Sequence, residues 1–313
     1  MKKPKIAITC GDPAGVGPEL ISHCLKKGIG SDADLSIIAP PKWLDSLGVY
    51  GSSAFNKVEV GLAYSDCQPG QPNPESSKVA LEAMEKAARG CALGEYDAVV
   101  TGPISKSRCT EVGFSHPGQT EFFASHWGGE PTMAFVGSKL RVVLATWHVP
   151  FATIRYHLTE SALAMAIDRA HELGARLGFS SPRIGVCGLN PHAGEEGLIG
   201  NEEAAIFDPL IESLSETIPN VSKCQPADTL FYRAINGAFD VVVALYHDQG
   251  LAPLKAVEFE TAVNVTLGLP YVRTSPDHGT GYEIAGTGQA SPNSFSRAIE
   301  LAIQLASRSR GTG

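Results

Sequence analysis

Hydrophobic positions along this chain fall into two rhythms that alternate from one end to the other. Lys5–Cys10, Leu35–Ala39, Tyr96–Val100, Leu140–Trp147, Arg183–Leu189 and Asp240–Tyr246 are short, nearly continuous apolar runs. Runs without a polar face are the mark of strands buried on both sides, as in a parallel sheet covered by helices. Between them, residues 76–93 place Val79, Leu81, Met84, Ala87 and Ala88 at helical spacing, and Leu158–Leu177 and Ser294–Ser307 read as further long helices. Another helix opens near Pro18 and runs to Lys27, with Pro at its start and Glu19 in its first turn. The alternation implies an α/β chain with a mainly parallel sheet in an α/β/α arrangement, built over residues 1–313 as one unit or two subdomains. The stretch 40–75, rich in Gly, Pro, Ser and Asn, carries no evident chemistry.

The strand-like runs break off into polar residues at their carboxyl ends. Asp240–Tyr246 gives way to His247, Asp248 and Gln249, with Gly250 expected to let the chain turn sharply. Leu140–Trp147 ends in His148-Val149-Pro150, and Arg183–Leu189 ends in Asn190-Pro191-His192-Ala193-Gly194-Glu195. In open α/β sheets that edge is where ligands bind. Three imidazoles with coordination positions left open suit a catalytic divalent ion, because structural zinc sites are closed by four ligands and rich in cysteine. Three capped strand ends with surface histidines fit the same residues, and the chain has nine histidines in all.

Three other polar turns stand out. The turn Gly11-Asp12-Pro13-Ala14-Gly15-Val16-Gly17-Pro18-Glu19 fits neither the P-loop nor the dinucleotide fingerprint, so a tight strand-to-helix turn and a binding turn both stay open. Thr101-Gly102-Pro103-Ile104-Ser105-Lys106 puts a lysine past a strand end, available to an anion or simply solvated. His116-Pro117-Gly118-Gln119-Thr120-Glu121 opens a helix whose free N–H groups favour a negative ligand.

Composition narrows the classes. A formal net charge of −8 over 313 residues argues against nucleic acid or an anionic membrane as partner. Seven scattered cysteines, odd in number and without a C-x-x-C, support neither a disulfide framework nor a zinc ribbon and point to a reducing cytoplasm. No signal-type apolar region follows Met1-Lys2-Lys3-Pro4, and no run approaches the ~18 apolar residues of a membrane span.

Taken in order, the Gly11–Glu19 turn, Thr101-Gly102-Pro103, Gly118-Gln119-Thr120-Glu121-Phe122, Asn190–Glu195, Pro226-Ala227-Asp228-Thr229-Leu230-Phe231 and Tyr246-His247-Asp248-Gln249-Gly250 resemble the 4-hydroxythreonine-4-phosphate dehydrogenase family of pyridoxal phosphate synthesis, from near residue 5 to near 305. The resemblance implies an isocitrate/isopropylmalate dehydrogenase-like fold of two subdomains around a cleft. It implies that His148, His192 and His247 hold one divalent ion (Zn, Mg or Co), contributed from both subunits of a homodimer with shared active sites. Thr120, Lys255, Asn264 and Arg273 match the family's substrate contacts. The implied reaction is NAD-dependent oxidation of the 3-hydroxyl of 4-phosphooxy-L-threonine to 2-amino-3-oxo-4-phosphooxybutanoate, which decarboxylates to 3-amino-2-oxopropyl phosphate. One position departs: Gln119 stands where the family usually has histidine in G-H-T-E, and glutamine hydrogen-bonds but carries no charge.

Within that reading, Lys255 and Arg273 suit the phosphate or carboxylate of a small dianion. Asp228 and Asp248 are placed either to orient the ligand histidines or to relay the alcohol proton. His278-Gly279-Thr280-Gly281-Tyr282-Glu283-Ile284-Ala285-Gly286 resembles the adenosine-binding loop of the isopropylmalate and isocitrate dehydrogenases, with Glu283 at the acidic position that goes with NAD. Related dehydrogenases of threonate or erythronate 4-phosphate, or of a carboxylated dihydrodiol, are the alternatives within the class. A phosphate acyltransferase of similar fold, or a three-histidine hydrolase, are the alternatives outside it.

Overall fold

The computed structural model describes residues 3–47, 55–61 and 67–309. Parts of the 40–75 stretch, and Met1 and Lys2, lie outside them. The chain divides into two units, one of residues 1–131 and 263–313, the other of residues 132–262.

The first unit begins with β1 (Lys5–Thr9), α1 (Gly17–Lys26), β2 (Asp34–Ala39), α2 (Pro41–Ser46) and β3 (Asn56–Glu59). It continues through α3 (Pro74–Ala92), β4 (Ala98–Thr101), α4 (Lys106–Glu111) and α5 (Gln119–Trp127). The second unit runs β5 (Thr132–Val136), β6 (Arg141–Leu144), α6 (Ile154–His157), α7 (Glu160–Leu177), β7 (Ile184–Cys187) and α8 (Asp208–Leu214). It closes with β8 (Val221–Gln225), α9 (Ala227–Ile235), β9 (Val241–Ala244) and α10 (His247–Glu258). The chain then returns to the first unit as β10 (Val263–Leu267), β11 (Val272–Pro276) and α11 (Asn293–Ser309).

In the first unit the strands lie in the order β3-β2-β1-β4-β11-β10. All pair in parallel except β10 with β11. The second unit has the order β5-β6-β9-β7-β8, parallel except for β5 with β6. The antiparallel pairs depart from an all-parallel sheet, and in both cases a short connection joins strands that are adjacent in sequence. Helix α11 packs on β11 and β4, α3 on β1, β2 and β4, and α7 on β6, β7 and β9. Ile6, Ile8, Ile37, Ile38 and Val99 are fully or almost fully buried in the first unit, as are Val142, Val143, Val186 and Val243 in the second. Valine and isoleucine suit these central strands because both faces are covered.

Two features fix the strands of the second unit away from their carboxyl edge. At the opposite end, Asp240 enters β9 and accepts two-pronged bonds from Arg183 at the start of β7, to Nε at 3.0 Å and Nη2 at 2.7 Å. Burial raises the Asp240 pKa, but the Arg183 hydrogen bonds outweigh it and leave the carboxyl below its ordinary range. At the tail of α10, buried Glu258 accepts the backbone N–H groups of Ser138, Lys139 and Leu140, which closes the β5–β6 connection.

Gly250 is not the turn residue that the sequence suggests. It lies inside α10, and a Cβ there would meet Val142 Cγ1 at 2.7 Å, Ala244 Cβ at 2.9 Å and Leu144 Cδ2 at 3.0 Å. Glycine is needed for close packing of the helix on β6 and β9, not for backbone freedom. A Gly250→Ala change is therefore expected to lower stability by roughly 1–3 kcal/mol through overpacking, despite the ~1 kcal/mol that alanine gains in helix propensity. Denaturant midpoints of parent and variant measure it; a raised midpoint would mean that the contact relaxes freely.

Candidate functional site

Strand β9 lies between β6 and β7, parallel to both, with Leu144 opposite Ala244 and Val186 opposite Val243. All three strands therefore end on one edge, each followed within a few residues by one of the candidate histidines. His247 is the first residue of α10, half-buried, and its Nδ1 is 2.7 Å from Asp248 Oδ1. A carboxylate there holds the proton on Nδ1 and leaves Nε2 with its lone pair outward, the arrangement found behind metal-binding imidazoles. The His148 ring lies 5.6 Å from the His247 ring, centroid to centroid, tilted by 40°. Two imidazoles sharing one ion at the usual metal–nitrogen distance, with a tetrahedral angle between them, place their centroids about 5 Å apart. The pair fits a shared divalent ion.

His192 is not drawn into that pair. It begins a run of left-handed backbone, with φ of 55° at His192, 54° at Ala193, 85° at Gly194, 45° at Glu195 and 54° at Glu196. His148 also has a left-handed backbone, at φ 52°. Such conformations disfavour L-residues by roughly 1–2 kcal/mol each and tend to persist at sites where they place a side chain. Among the described residues no three His, Cys, Asp or Glu side chains of this single chain gather as a metal-binding group.

Two residues overlooked at the level of sequence hold this edge. Glu203, 2% exposed, accepts the backbone N–H of Leu189 at 2.8 Å and of Asn190 at 2.7 Å, and the Asn190 side-chain amide at 2.9 Å. Gln249 accepts the Leu245 N–H and donates to the Gly188 carbonyl, both at 2.7 Å, which ties the exit of β9 to that of β7. An acidic residue after Gly200-Asn201-Glu202 looks solvated in sequence, so Glu203 had no signal; Gln249 was visible only as a neighbour of His247.

Asp228 sits exposed in the first turn of α9. Asp248, not Asp228, is the carboxylate bonded to His247. Lys255 is half-buried on α10, its ammonium 5.9 Å from the Phe259 ring centroid. Helical rise alone separates it from His247 by about 12 Å along the axis.

The first unit carries a buried cation. Arg273 on β11, 4% exposed, lies opposite Thr266 on β10 and Val99 on β4. Side chains two residues along a neighbouring strand share a face, so Asn264 and Thr101 reach the same guanidinium. Its donors go to Thr101 Oγ1 (2.8 Å), Asn264 Oδ1 (3.2 Å), Thr266 Oγ1 (3.3 Å) and Gln119 Oε1 (3.2 Å). Every one of these partners is neutral. Burial pulls the Arg273 pKa down to about 10, opposed by the more distant Glu121, so the group stays charged at neutral pH. Keeping it charged costs on the order of 3 kcal/mol. A buried cation held by neutral acceptors is suited to receive an anion. Gln119 donates its amide to the Gly102 carbonyl at 3.3 Å while accepting from Arg273, the donor–acceptor pattern of a neutral imidazole. Thr120 is buried beside it in the first turn of α5, whereas Lys106 is exposed.

Residues 277–292 connect β11 to α11, with consecutive turns from Tyr282 to Gly288. His278 Nδ1 lies 3.0 Å from the Gly279 carbonyl, and its Nε2 is buried without a partner. An orphaned ring nitrogen and an exposed Glu283 fit a loop that binds a nucleoside through hydrogen bonds. Beside it is a cavity of about 590 Å³, walled in part by Pro13, Gly15, Glu19, Gly286 and Gly288.

A mainly parallel α/β sheet with histidines on one carboxyl edge and a buried arginine suits a dehydrogenase of small molecules. Residues 23–302 match the family described as pyridoxal phosphate biosynthetic protein PdxA, and the chain belongs to that family. It is 38% identical to the 4-hydroxythreonine-4-phosphate dehydrogenase of Methylococcus capsulatus, over 97% of each chain. The crystal structure of 4-hydroxythreonine-4-phosphate dehydrogenase from Klebsiella pneumoniae superposes with a TM-score of 0.84 at 33% identity, covering 97% of this chain and 100% of that one. A terephthalate 1,2-cis-dihydrodiol dehydrogenase from Burkholderia xenovorans is similar at TM-score 0.72 and 27% identity, over 97% and 98% of the two chains.

If Arg273 is the anion seat, inorganic phosphate raises the melting temperature of the parent and leaves that of Arg273→Met unmoved. The same change is expected to lower kcat/KM for a phosphorylated substrate by ~10²-fold or more, the loss of at least one well-made charge-assisted pair of bonds. An equal phosphate-induced rise in both proteins would rule out this role.

Proposed function

We propose that this chain is a 4-hydroxythreonine-4-phosphate dehydrogenase. It takes a small phosphorylated hydroxy-amino acid, oxidises its 3-hydroxyl with NAD, and releases a β-keto acid that loses carbon dioxide. The observation that carries this reading is Arg273, a fully buried cation with only neutral partners, which suits one anionic group of such a substrate. Asn264 and Gln119 orient that arginine. The Gln119 geometry supports the amino acid as substrate, since a neutral amide reproduces the bonds that a neutral histidine would make there.

His148, His192 and His247 are the residues that would hold a divalent ion (Zn, Mg or Co). Bound there, the ion supplies a positive charge that favours the alkoxide form of the alcohol and polarises the carbonyl that follows. Asp248 keeps His247 in the tautomer that leaves Nε2 unprotonated, and is near enough to the edge to pass on the alcohol proton. His278, Gly279, Thr280, Glu283 and Ile284 are the residues that would hold NAD, which would supply the hydride acceptor. A Glu283 carboxylate accepts hydrogen bonds from ribose hydroxyls and repels a 2′-phosphate.

The working form is a homodimer with shared sites. Phe151 (78% exposed), Leu198 (85%) and Tyr232 (72%), all on the unit that bears the histidines, support a second chain covering that unit. A divided ligand set also accounts for the separation of His192 from the other two rings. Seven free thiols, six of them buried, support a reducing cytoplasmic setting. Among the described residues no helix is long and apolar enough to cross a membrane. A second reading, oxidation of a carboxylated dihydrodiol, draws on the dihydrodiol dehydrogenase neighbour.

The deciding experiment follows reduced nicotinamide absorbance with 4-hydroxythreonine 4-phosphate, threonate 4-phosphate and a carboxylated dihydrodiol, with and without a chelator. Turnover of the first substrate is expected to stop on chelation while the circular dichroism spectrum stays native. His192→Ala and His247→Ala should each lower kcat by ~10²-fold or more, the scale of a lost electrophilic contribution of ~3 kcal/mol. Full activity in metal-stripped protein would remove the metal from the account, and a preference for the dihydrodiol would select the second reading. On the cofactor side, the parent is expected to prefer NAD over NADP and Glu283→Lys to shift preference toward NADP. A parent that prefers NADP would contradict the assignment of Glu283.

A further inference from the structure

The Gly11–Glu19 turn has no place in the chemistry above, yet three of its polar groups bond the 277–288 loop. Asp12, fully buried, accepts the Tyr282 hydroxyl at 2.7 Å and the Ala14 N–H at 2.9 Å. The Val16 N–H donates to the Thr280 carbonyl at 2.9 Å. Glu19, in the first turn of α1, accepts the Gly286 N–H at 2.9 Å and the Gly288 N–H at 3.4 Å through one oxygen. Gly15 lies so close to the loop that a Cβ would stand 2.7 Å from the Thr280 carbonyl oxygen.

We propose that Asp12 and Glu19 are positioning residues which latch the 277–288 loop at Tyr282 and at Gly286 and Gly288, and so set the affinity for an adenine dinucleotide without touching the reacting atoms. The proposal rests on reading that loop as the NAD site. The loop has no strand or helix of its own; besides its internal turns, the Asp277 N–H bond to Ser294 Oγ and Arg108 over the Tyr282 ring, these ties hold it. A carboxylate as buried as Asp12 is costly unless its bonds are filled, and two donors fill them, one from the turn and one from the loop. Tyr282 remains a phenol and a donor: burial first, and then its bond to Asp12, push its pKa upward. The latch also forms one wall of the cavity beside the loop, since Glu19, Gly286 and Gly288 all line it. Its volume of about 590 Å³ falls in the range of small-molecule and cofactor sites.

The test measures NAD binding and steady-state kinetics for the parent, Tyr282→Phe, Glu19→Ala and Glu19→Gln. Each of the first two variants loses a charge-assisted bond between carboxylate and loop, so Kd and KM for NAD should rise by ~10-fold. At saturating NAD, kcat is expected within about threefold of the parent, because the reacting groups are untouched. Glu19→Gln should recover most of the lost affinity, since its amide oxygen still accepts from Gly286. Tyr282→Phe retains the ring and its packing, so its circular dichroism spectrum should stay native, although the buried Asp12 carboxylate, short of one donor, lowers the melting temperature. If the parent binds NAD and the variants bind it equally well, the latch is refuted and the nucleotide reading stands. A fall in kcat at unchanged NAD affinity also refutes the latch. If the parent binds no NAD, both readings fail together.

Discussion

The parallel hydrogen bonding of β9 between β6 and β7 is the constraint on which the candidate chemistry rests. Once Leu144 is opposite Ala244 and Val186 opposite Val243, three strand exits are separated only by the spacing of neighbouring strands, ~5 Å. The register is secured at both ends. Arg183 and Asp240 join the entries of β7 and β9, and Gln249 joins their exits. A slip of one residue would turn every buried valine of β9 to the opposite face and shift the strand exits, so the pairing fixes where the histidines leave the sheet.

Buried charges in this protein are treated in two ways, and the difference separates scaffold from site. Asp12, Glu203 and Glu258 are buried carboxylates, and each is surrounded by N–H or O–H donors that satisfy it. Asp12 and Glu258 fasten loops to the elements behind them, and Glu203 fastens the exit of β7. Arg273 is buried just as deeply, but its acceptors are threonine hydroxyls and amide oxygens without formal charge. The carboxylates are complete as they stand. The five guanidinium N–H donors are also filled, but only by uncharged acceptors, so its positive charge has no counter-charge among them.

The strand runs, the long helices and the convergence of three histidines on one kind of edge were legible in the sequence because burial on both faces leaves an unmistakable apolar signature. Much of the rest was not. Helix α10 begins directly at His247, so residues that read as a polar loop are helical, and Gly250 serves packing on Val142 and Ala244. Arg273 was visible only as a candidate anion contact; its burial and its partners Thr101, Thr266 and Asn264 were not, because they belong to strands brought together only by folding. The tie between Asp12 and Tyr282 spans 270 residues and is likewise invisible until both ends are placed.

The left-handed turn from His192 to Glu196 carries one more implication, for anyone who would harden this protein against heat. Alanine and two glutamates occupy backbone that glycine would adopt with far less strain, so a search for thermal stability would be drawn to replace them. Each such exchange would relax the turn and widen the range of positions open to His192. Robustness and placement compete at this short segment, and the strain that a stability screen would register as a defect keeps the imidazole in one place.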